Sequence, residues 1–147
     1  MTTPQMRRFD AHLDAFAELR EFVERCCADL GVGQRTTDVL MLIFEELFEN
    51  TRNHGYQALP DGALERPIWL SMAVIGGCID AVYEDAAPAY DPFANVSPPD
   101  YSGPAETWRV GGLGIPLVTR LTRDLRYARS GERNRISFSV PVDGVVS

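Results

Sequence analysis

The chain has 147 residues, a formal net charge of −7 and 45% hydrophobic residues, the size and composition of one domain with a real core. The acidic balance argues against direct nucleic-acid binding, because no basic patch is available to neutralise phosphates. No apolar run approaches the ~20 residues that span a bilayer, and residues 1–8 lead into charged sequence rather than an apolar leader, so neither a membrane span nor a signal peptide is expected.

Residues 10–30 read as a helix. Leu13, Phe16, Leu19, Phe22, Val23, Cys26, Cys27 and Leu30 recur at three- and four-residue steps. Asp14, Glu18, Glu21, Glu24 and Arg25 occupy the other face, which is either solvated or a partner surface. Gly31-Val32-Gly33 stops the helix. The three cysteines, Cys26, Cys27 and Cys78, are odd in number and include an adjacent pair. That spacing is neither a disulfide framework nor a zinc site, and it reads as buried thiols in a reducing cytoplasm.

A second helix is expected over residues 36–54, with Thr36 as N-cap and Gly55 as its stop. Its apolar stripe runs through Val39, Leu40, Ile43, Phe44 and Leu47. At ~100° per residue, Glu46, Asn50 and His54 fall on the side of Val39 and Ile43, stacked one turn apart. Glu45, Glu49 and Arg52 point to solvent. A carboxylate, an amide and an imidazole on the inward edge of a helix need partners. They either line a polar pocket or sit half exposed at the stripe's edge.

Residues 57–66 are a turn-rich loop around Pro60-Asp61-Gly62. Residues 68–75 form a strand that is apolar on both faces. Gly76-Gly77 turns the chain, and residues 78–83 return as a second strand. The chain leaves the sheet at Glu84-Asp85, an acid position that suits a ligand contact or a turn. Residues 86–110 lack periodicity and are broken by Pro88, Pro92, Pro98, Pro99 and Pro104, the character of a functional lid.

Gly111-Gly112-Leu113-Gly114 then precedes a short helix over residues 116–121, with Pro116 in its first turn. Glycines allow close backbone approach, and exposed N–H groups at a helix start favour a phosphate. The spacing matches neither a P-loop nor a dinucleotide fingerprint. A closing hairpin is expected from residues 125–129 and 135–142 around the turn at 130–134. Ile136, Phe138 and Val140 alternate with Ser137, Ser139 and Pro141, marking one wet face.

Taken in order, Glu46-Leu-Phe-Glu-Asn50-Thr-Arg-Asn-His54-Gly-Tyr56, then Asp85-Ala-Ala-Pro-Ala-Tyr90-Asp91-Pro92, then Gly112-Leu-Gly114-Ile-Pro-Leu resemble the three motifs of the GHKL (Bergerat) ATP-binding fold shared by gyrase, histidine kinases and MutL. Within that group the sequence is most similar to the small anti-sigma-factor serine/threonine kinases of bacteria, over residues 9–142. The resemblance implies an α+β fold: a two-layer α/β sandwich, with a mixed, mostly antiparallel sheet and helices on one face. A single domain over all 147 residues is expected, with the lid at about 86–110.

The resemblance also implies roles. Asn50 would ligate Mg²⁺ that bridges the phosphates of ATP, and Glu46 would take the proton of a substrate serine or threonine. Asp85 would accept from the adenine amino group. The backbone from Gly112 through Leu113 and Gly114 to Ile115 would cradle phosphates. Arg109, at the lid's end, would neutralise phosphate charge, and Asn134 before the last strand also fits. His54 is assigned a structural role at the helix end. The implied partners are a sigma factor and a STAS-type anti-sigma-factor antagonist as protein substrate, with a cytoplasmic homodimer doing the partner switching.

One position departs from the pattern. The second motif ordinarily reads Asp-x-Gly, and here it is Asp85-Ala86-Ala87. A methyl at Ala87 is expected to intrude where adenine approaches and to disfavour positive φ. This motivates a second reading, a GHKL-fold regulator that binds proteins without phosphotransfer. A detached histidine-kinase catalytic domain fits less well, because no phospho-acceptor helix pair is seen ahead of the fold.

Overall fold

The computed structural model describes residues 6–11, 15–56, 66–94 and 114–142. Five strands form one sheet in the order β1-β2-β3-β5-β4: β1 Arg7–Asp10, β2 Pro67–Ile75, β3 Cys78–Asp85, β4 Arg123–Ser130 and β5 Arg133–Pro141. All four pairings among the described residues are antiparallel, in keeping with the mostly antiparallel sheet expected. Helices α1 (Ala15–Asp29), α2 (Gln34–Asn50) and α3 (Gly114–Leu121) complete the α+β architecture.

The register explains why one sheet face is apolar. Ile68 opposes Asp85, Leu70 opposes Tyr83, and Tyr83 opposes Ile136 in turn. Side chains two apart on a strand share a face, so the buried Phe9, Ile68, Leu70, Ile79, Ala81, Tyr83, Ile136, Phe138 and Val140 make one surface. Leu40, Ile43, Phe44 and Leu47 of α2 and Leu19, Val23 and Cys27 of α1 are buried in the same core. Phe44 meets Phe138 with ring centroids 5.7 Å apart, and Phe9 meets Phe22 at 5.6 Å.

Several element ends differ from the sequence reading. The segment ahead of α1 is strand β1, paired to β2 from Arg7↔Leu70 to Asp10↔Pro67. Four residues with one buried side chain, Phe9, carry too short an alternation to be read. Helix α1 ends at Asp29, and Leu30 stands 41% exposed rather than in the apolar stripe. The stop is a Schellman arrangement: Gly31 at φ 73°, with Val32 N–H donating to Cys27 O at 2.8 Å and Gly31 N–H to Ala28 O at 3.1 Å.

Helix α2 starts two residues before the expected cap. Gly33 is the N-cap and supplies no side-chain bond. Thr36 is buried in the first turn and its hydroxyl donates to Pro141 O at 3.3 Å, tying α2 to β5. The α-helix ends at Asn50, and Thr51–Gly55 is a π-helical turn closed by Tyr56 N–H donating to Thr51 O at 2.8 Å. The β2–β3 turn agrees with expectation: Gly76 and Gly77 both have positive φ, 58° and 79°, as a two-residue type I′ turn requires. The β4–β5 turn is shorter than expected, Gly131-Glu132, with Ser130 paired to Arg133. Asn134 therefore lies inside β5, directly opposite Asp85.

Candidate functional site

The two polar ends of central strands β3 and β5 meet the C-terminal end of α2. Asp85 is the last residue of β3 and is 8% exposed. Its Oδ1 accepts from Asn134 Nδ2 at 2.8 Å and Ala87 N–H at 3.2 Å, and its Oδ2 accepts from Thr51 Oγ1 at 2.9 Å. Thr51 Oγ1 also bonds the Tyr83 hydroxyl at 2.7 Å. Since Thr51 gives its proton to Asp85, Tyr83 donates in turn, to Thr51 or to Leu47 O at 3.3 Å. This is a buried relay, Tyr83 to Thr51 to Asp85, in which each member polarises the next. Complete burial pushes the Tyr83 phenol well above its usual range.

Asn134 is the second hub. Its amide group donates to Asp85, Ala87 O at 3.2 Å and Pro88 O at 3.0 Å. Its carbonyl oxygen accepts from Tyr127 OH at 2.5 Å, Tyr90 N–H at 3.2 Å and Arg129 at 3.2 Å. Arg129 also donates to Ala87 O at 2.7 Å. The first part of the expected lid, residues 86–94, is thereby gathered over the end of the sheet. Tyr90 stacks on His54 with ring centroids 6.3 Å apart. Tyr56 holds the other side: its hydroxyl donates to Pro67 O at 2.5 Å and accepts from Ala86 N–H at 2.7 Å. Burial drives the Tyr56 phenol up to about 12.

Asn50, Thr51, Gly55, Asp85, Ala87, Tyr90 and Asn134 line one small cavity of ≈10 Å³, room for about one water. Ala87 does not adopt positive φ; among described non-glycine residues only Asp124 does, at 53°. Its methyl lies against Gly55, where an added Cβ would stand 2.9 Å from Ala87 Cβ. Gly55 is therefore needed less as a helix stop than as the notch that receives this methyl.

Glu46 is partly buried on α2, one turn before Asn50. A Cβ on Gly114 would lie 1.7 Å from Glu46 Oε2, so any side chain there would push the carboxylate out of this position. The first and third motifs are thus in contact. Burial raises the Glu46 pKa, and the negative charges of Glu49 and Glu45 add to it. Ile115 comes next after Gly114 in α3, partly buried. Arg109, Gly112 and Leu113 lie outside the described residues, as does the lid beyond residue 94.

The structure separates three residues that the helical wheel put together. Glu46 and Asn50 flank the site, but His54 is exposed, because the wider π turn changes the rotation of the residues after Asn50. Thr51, one turn after Leu47 on the buried stripe of α2, is the residue that faces inward. Glu84 parts from Asp85 in the same way. It lies on the opposite sheet face, 5% exposed, paired with Arg133 at 3.2 Å and Arg135 at 3.3 Å, and Arg133 caps the Trp69 ring at 3.5 Å. Sequence reasoning passed over Thr51 and Tyr83. The signal available was their hydrophilic tips in otherwise apolar stripes.

The fold and this site define a nucleotide-type α+β domain, and residues 9–140 match the histidine kinase-like ATPase domain. The chain belongs to that family, whose domain is an ATP-binding one. No protein of curated function matches it by sequence. Among solved structures it is similar to the RsbU and RsbW domains of Rv1364c from Mycobacterium tuberculosis, with a TM-score of 0.62 at 16% identity, over 96% of this chain and 33% of that one. It is also similar to the Erythrobacter litoralis EL346 blue-light activated histidine kinase, with a TM-score of 0.51 at 17% identity, over 76% of this chain and 32% of that one. The Acinetobacter baumannii histidine kinase AdeS gives 0.50 at 14% identity, over 97% of this chain and 70% of that one. The chain therefore spans about a third of the length of the first two. At these identities the likeness is one of fold. No helix among the described residues is long and apolar enough to cross a membrane.

The Gly55–Ala87 contact makes a measurable prediction. Gly55→Ala should destabilise the chain by about 1–3 kcal/mol through overpacking. Adding Ala87→Gly should recover most of that loss, giving a clear coupling energy in a double-mutant cycle followed by urea denaturation. Additive effects would show that the two residues do not touch.

Proposed function

We propose that the chain is a Mg-ATP-dependent protein serine/threonine kinase of the anti-sigma type, which phosphorylates an antagonist protein and sequesters a sigma factor by partner switching. The observation that carries this reading is the convergence of three motifs: Glu46 against Gly114, with Asn50 and Asp85 on one cavity wall. The likeness to a protein with RsbU and RsbW domains supports it. Phosphoryl transfer needs positioning and charge neutralisation more than covalent chemistry.

The donor set suits Mg²⁺, which takes one or two protein oxygens and completes its shell with phosphate and water. The Asn50 amide oxygen offers one such ligand, and the metal would supply charge neutralisation on the phosphates. Asp85, held with both oxygens in the sheet end, is rigid enough to select an adenine amino group. Glu46, its pKa raised by burial and one turn from Asn50, takes the proton of an attacking hydroxyl. The same resemblance makes a homodimer and a cytoplasmic location part of this proposal. The acidic face of α1, with Glu18, Glu21 and Glu24 exposed, suits a basic segment of the sigma factor.

A second reading has its own observation. The cavity holds about one water, not a purine, while Asn134 and Arg129 bind the 86–94 segment over it. A nucleotide enters only if that segment lifts. If it stays closed, the fold acts as a protein-binding regulator without transfer. Calorimetric titration with Mg-ATP separates the two. The kinase reading expects saturable binding that Asn50→Ala removes in the presence of Mg²⁺. Silence in the wild type, with binding restored by Ala87→Gly, supports the regulator.

A further inference from the structure

A second cavity, of ≈230 Å³, lies at the far end of α3 from Gly114. Arg35, Thr36 and Val39 of α2, Arg120 and Leu121 of α3, and Val140 and Pro141 of β5 line it, the Thr36 hydroxyl donating to Pro141 O. Val140 is 3% exposed, and Val39 and Leu121 are partly buried against the core, so the floor is apolar. The rim is cationic. Arg35 and Arg120 are exposed, and neither is ion-paired among the described residues.

Arg120 has a local reason to be there, since a cation in the last turn of α3 complements the helix dipole. Arg35 has none. It stands in the first turn of the 17-residue α2, where no acid is present and Gly33 supplies no side-chain cap. That is the positive end of a helix, where a cation is disfavoured and an anion welcome. Two cations and this helix end converge on one hollow in a chain of net charge −7.

Size and lining narrow the occupant. The volume is below the ~300–1,000 Å³ of small-molecule sites, so it suits a side-chain anchor rather than a nucleotide. An apolar floor is wasted on a bare phosphate ion. We infer that this cavity docks an acidic, partly apolar peptide segment of a protein partner, with an aliphatic side chain on Val39, Leu121 and Val140 and flanking carboxylates on Arg35 and Arg120. Charge complementarity and the apolar floor carry the assignment, which stands apart from the nucleotide reading.

The test uses the full chain and an end-blocked Glu-Glu-Leu-Glu-Glu peptide, with Gln-Gln-Leu-Gln-Gln as control, monitored by methyl and arginine side-chain NMR. The acidic peptide should shift the methyl signals of Val39, Leu121 and Val140, and added salt should weaken it. R35Q and R120Q, at exposed positions that leave the core untouched, should each weaken binding about five- to tenfold. E46Q should bind the peptide like the wild type, which keeps this result independent of the kinase chemistry. Equal affinity for both peptides, or no methyl shift at millimolar peptide, would overturn the inference. So would inorganic phosphate moving the Arg35 and Arg120 signals when the peptide does not, which would make the site a phosphate site.

Discussion

Glu46→Gln should lower phosphoryl transfer to an antagonist protein by about 10²–10⁴-fold, the usual worth of a positioned general base, while Mg-ATP still binds. The amide keeps the shape that packs against Gly114 and loses only the ability to take a proton. A pH profile gives a second readout. Burial, then Glu49 and Glu45, hold the carboxyl above its ordinary range, and the base works only when ionised. Wild-type transfer should therefore fall as pH drops, with its acid limb above the ~4.3 of an unperturbed glutamate, and that limb should vanish in the variant. Stability moves the opposite way. A carboxyl whose pKa is raised by folding contributes most below the unfolded pKa and loses that contribution as pH rises through the folded one. Glu46→Gln should then be no less stable than the wild type at neutral pH. Transfer by the Gln variant at the wild-type rate would remove the general-base assignment.

Asp85 carries the second large effect, and two substitutions split it into fold and recognition. Asp85→Ala deletes the acceptor for Thr51, Asn134 and Ala87 N–H at a nearly buried position. The loss should be about 2–4 kcal/mol, seen as a melting temperature lower by roughly 5–15 °C. Asp85→Asn should cost less. Its carbonyl can serve Asn134 and Ala87, and its amide can donate to Thr51 if the relay reverses, with Thr51 donating to Tyr83 and Tyr83 to Leu47 O. Adenine selection should not survive either change, because a buried donor amino group then loses the carboxylate it needs. An Asn variant that melts near the wild type yet no longer prefers ATP over GTP in calorimetry is the expected result. Undiminished ATP preference in that variant would place the adenine contact elsewhere.

Much of the architecture was legible because it rests on local periodicity. The α1 and α2 stripes, the Gly76-Gly77 turn and the alternation of β5 are each set by neighbours within a few residues. Strand β1 was not legible, since four residues gain strand character only by pairing with β2. The described pairings are antiparallel, in keeping with the mostly antiparallel sheet expected, but the order in which the strands pair is a property of long-range register. At the site, the spacing of Glu46 and Asn50 was readable one turn apart on α2. Placing His54 beside them failed, because the π turn after Asn50 cannot be foreseen from propensity. The surroundings of Ala87 were also not legible in the sequence. Its methyl packs on Gly55, and the closure of the cavity comes from Asn134 and Arg129 holding residues 86–94.

The sequence by itself determined which chemistry was present: a carboxylate and an amide one helical turn apart, an acid at a strand exit and a glycine-rich helix start, in an order that marks an ATP-binding fold. Helix and strand periodicity place those residues on their elements, and the resemblance of the motifs to a known family supplied the ATP-binding fold. Only the tertiary structure decided which polar groups became partners. Asp85 and Asn134 face each other across 49 positions of chain, Thr51 reaches Asp85 from the end of α2, and Glu46 lies against Gly114. Such contacts depend on strand register and on close packing between distant segments, and a one-residue slip in either would send these side chains to the other face.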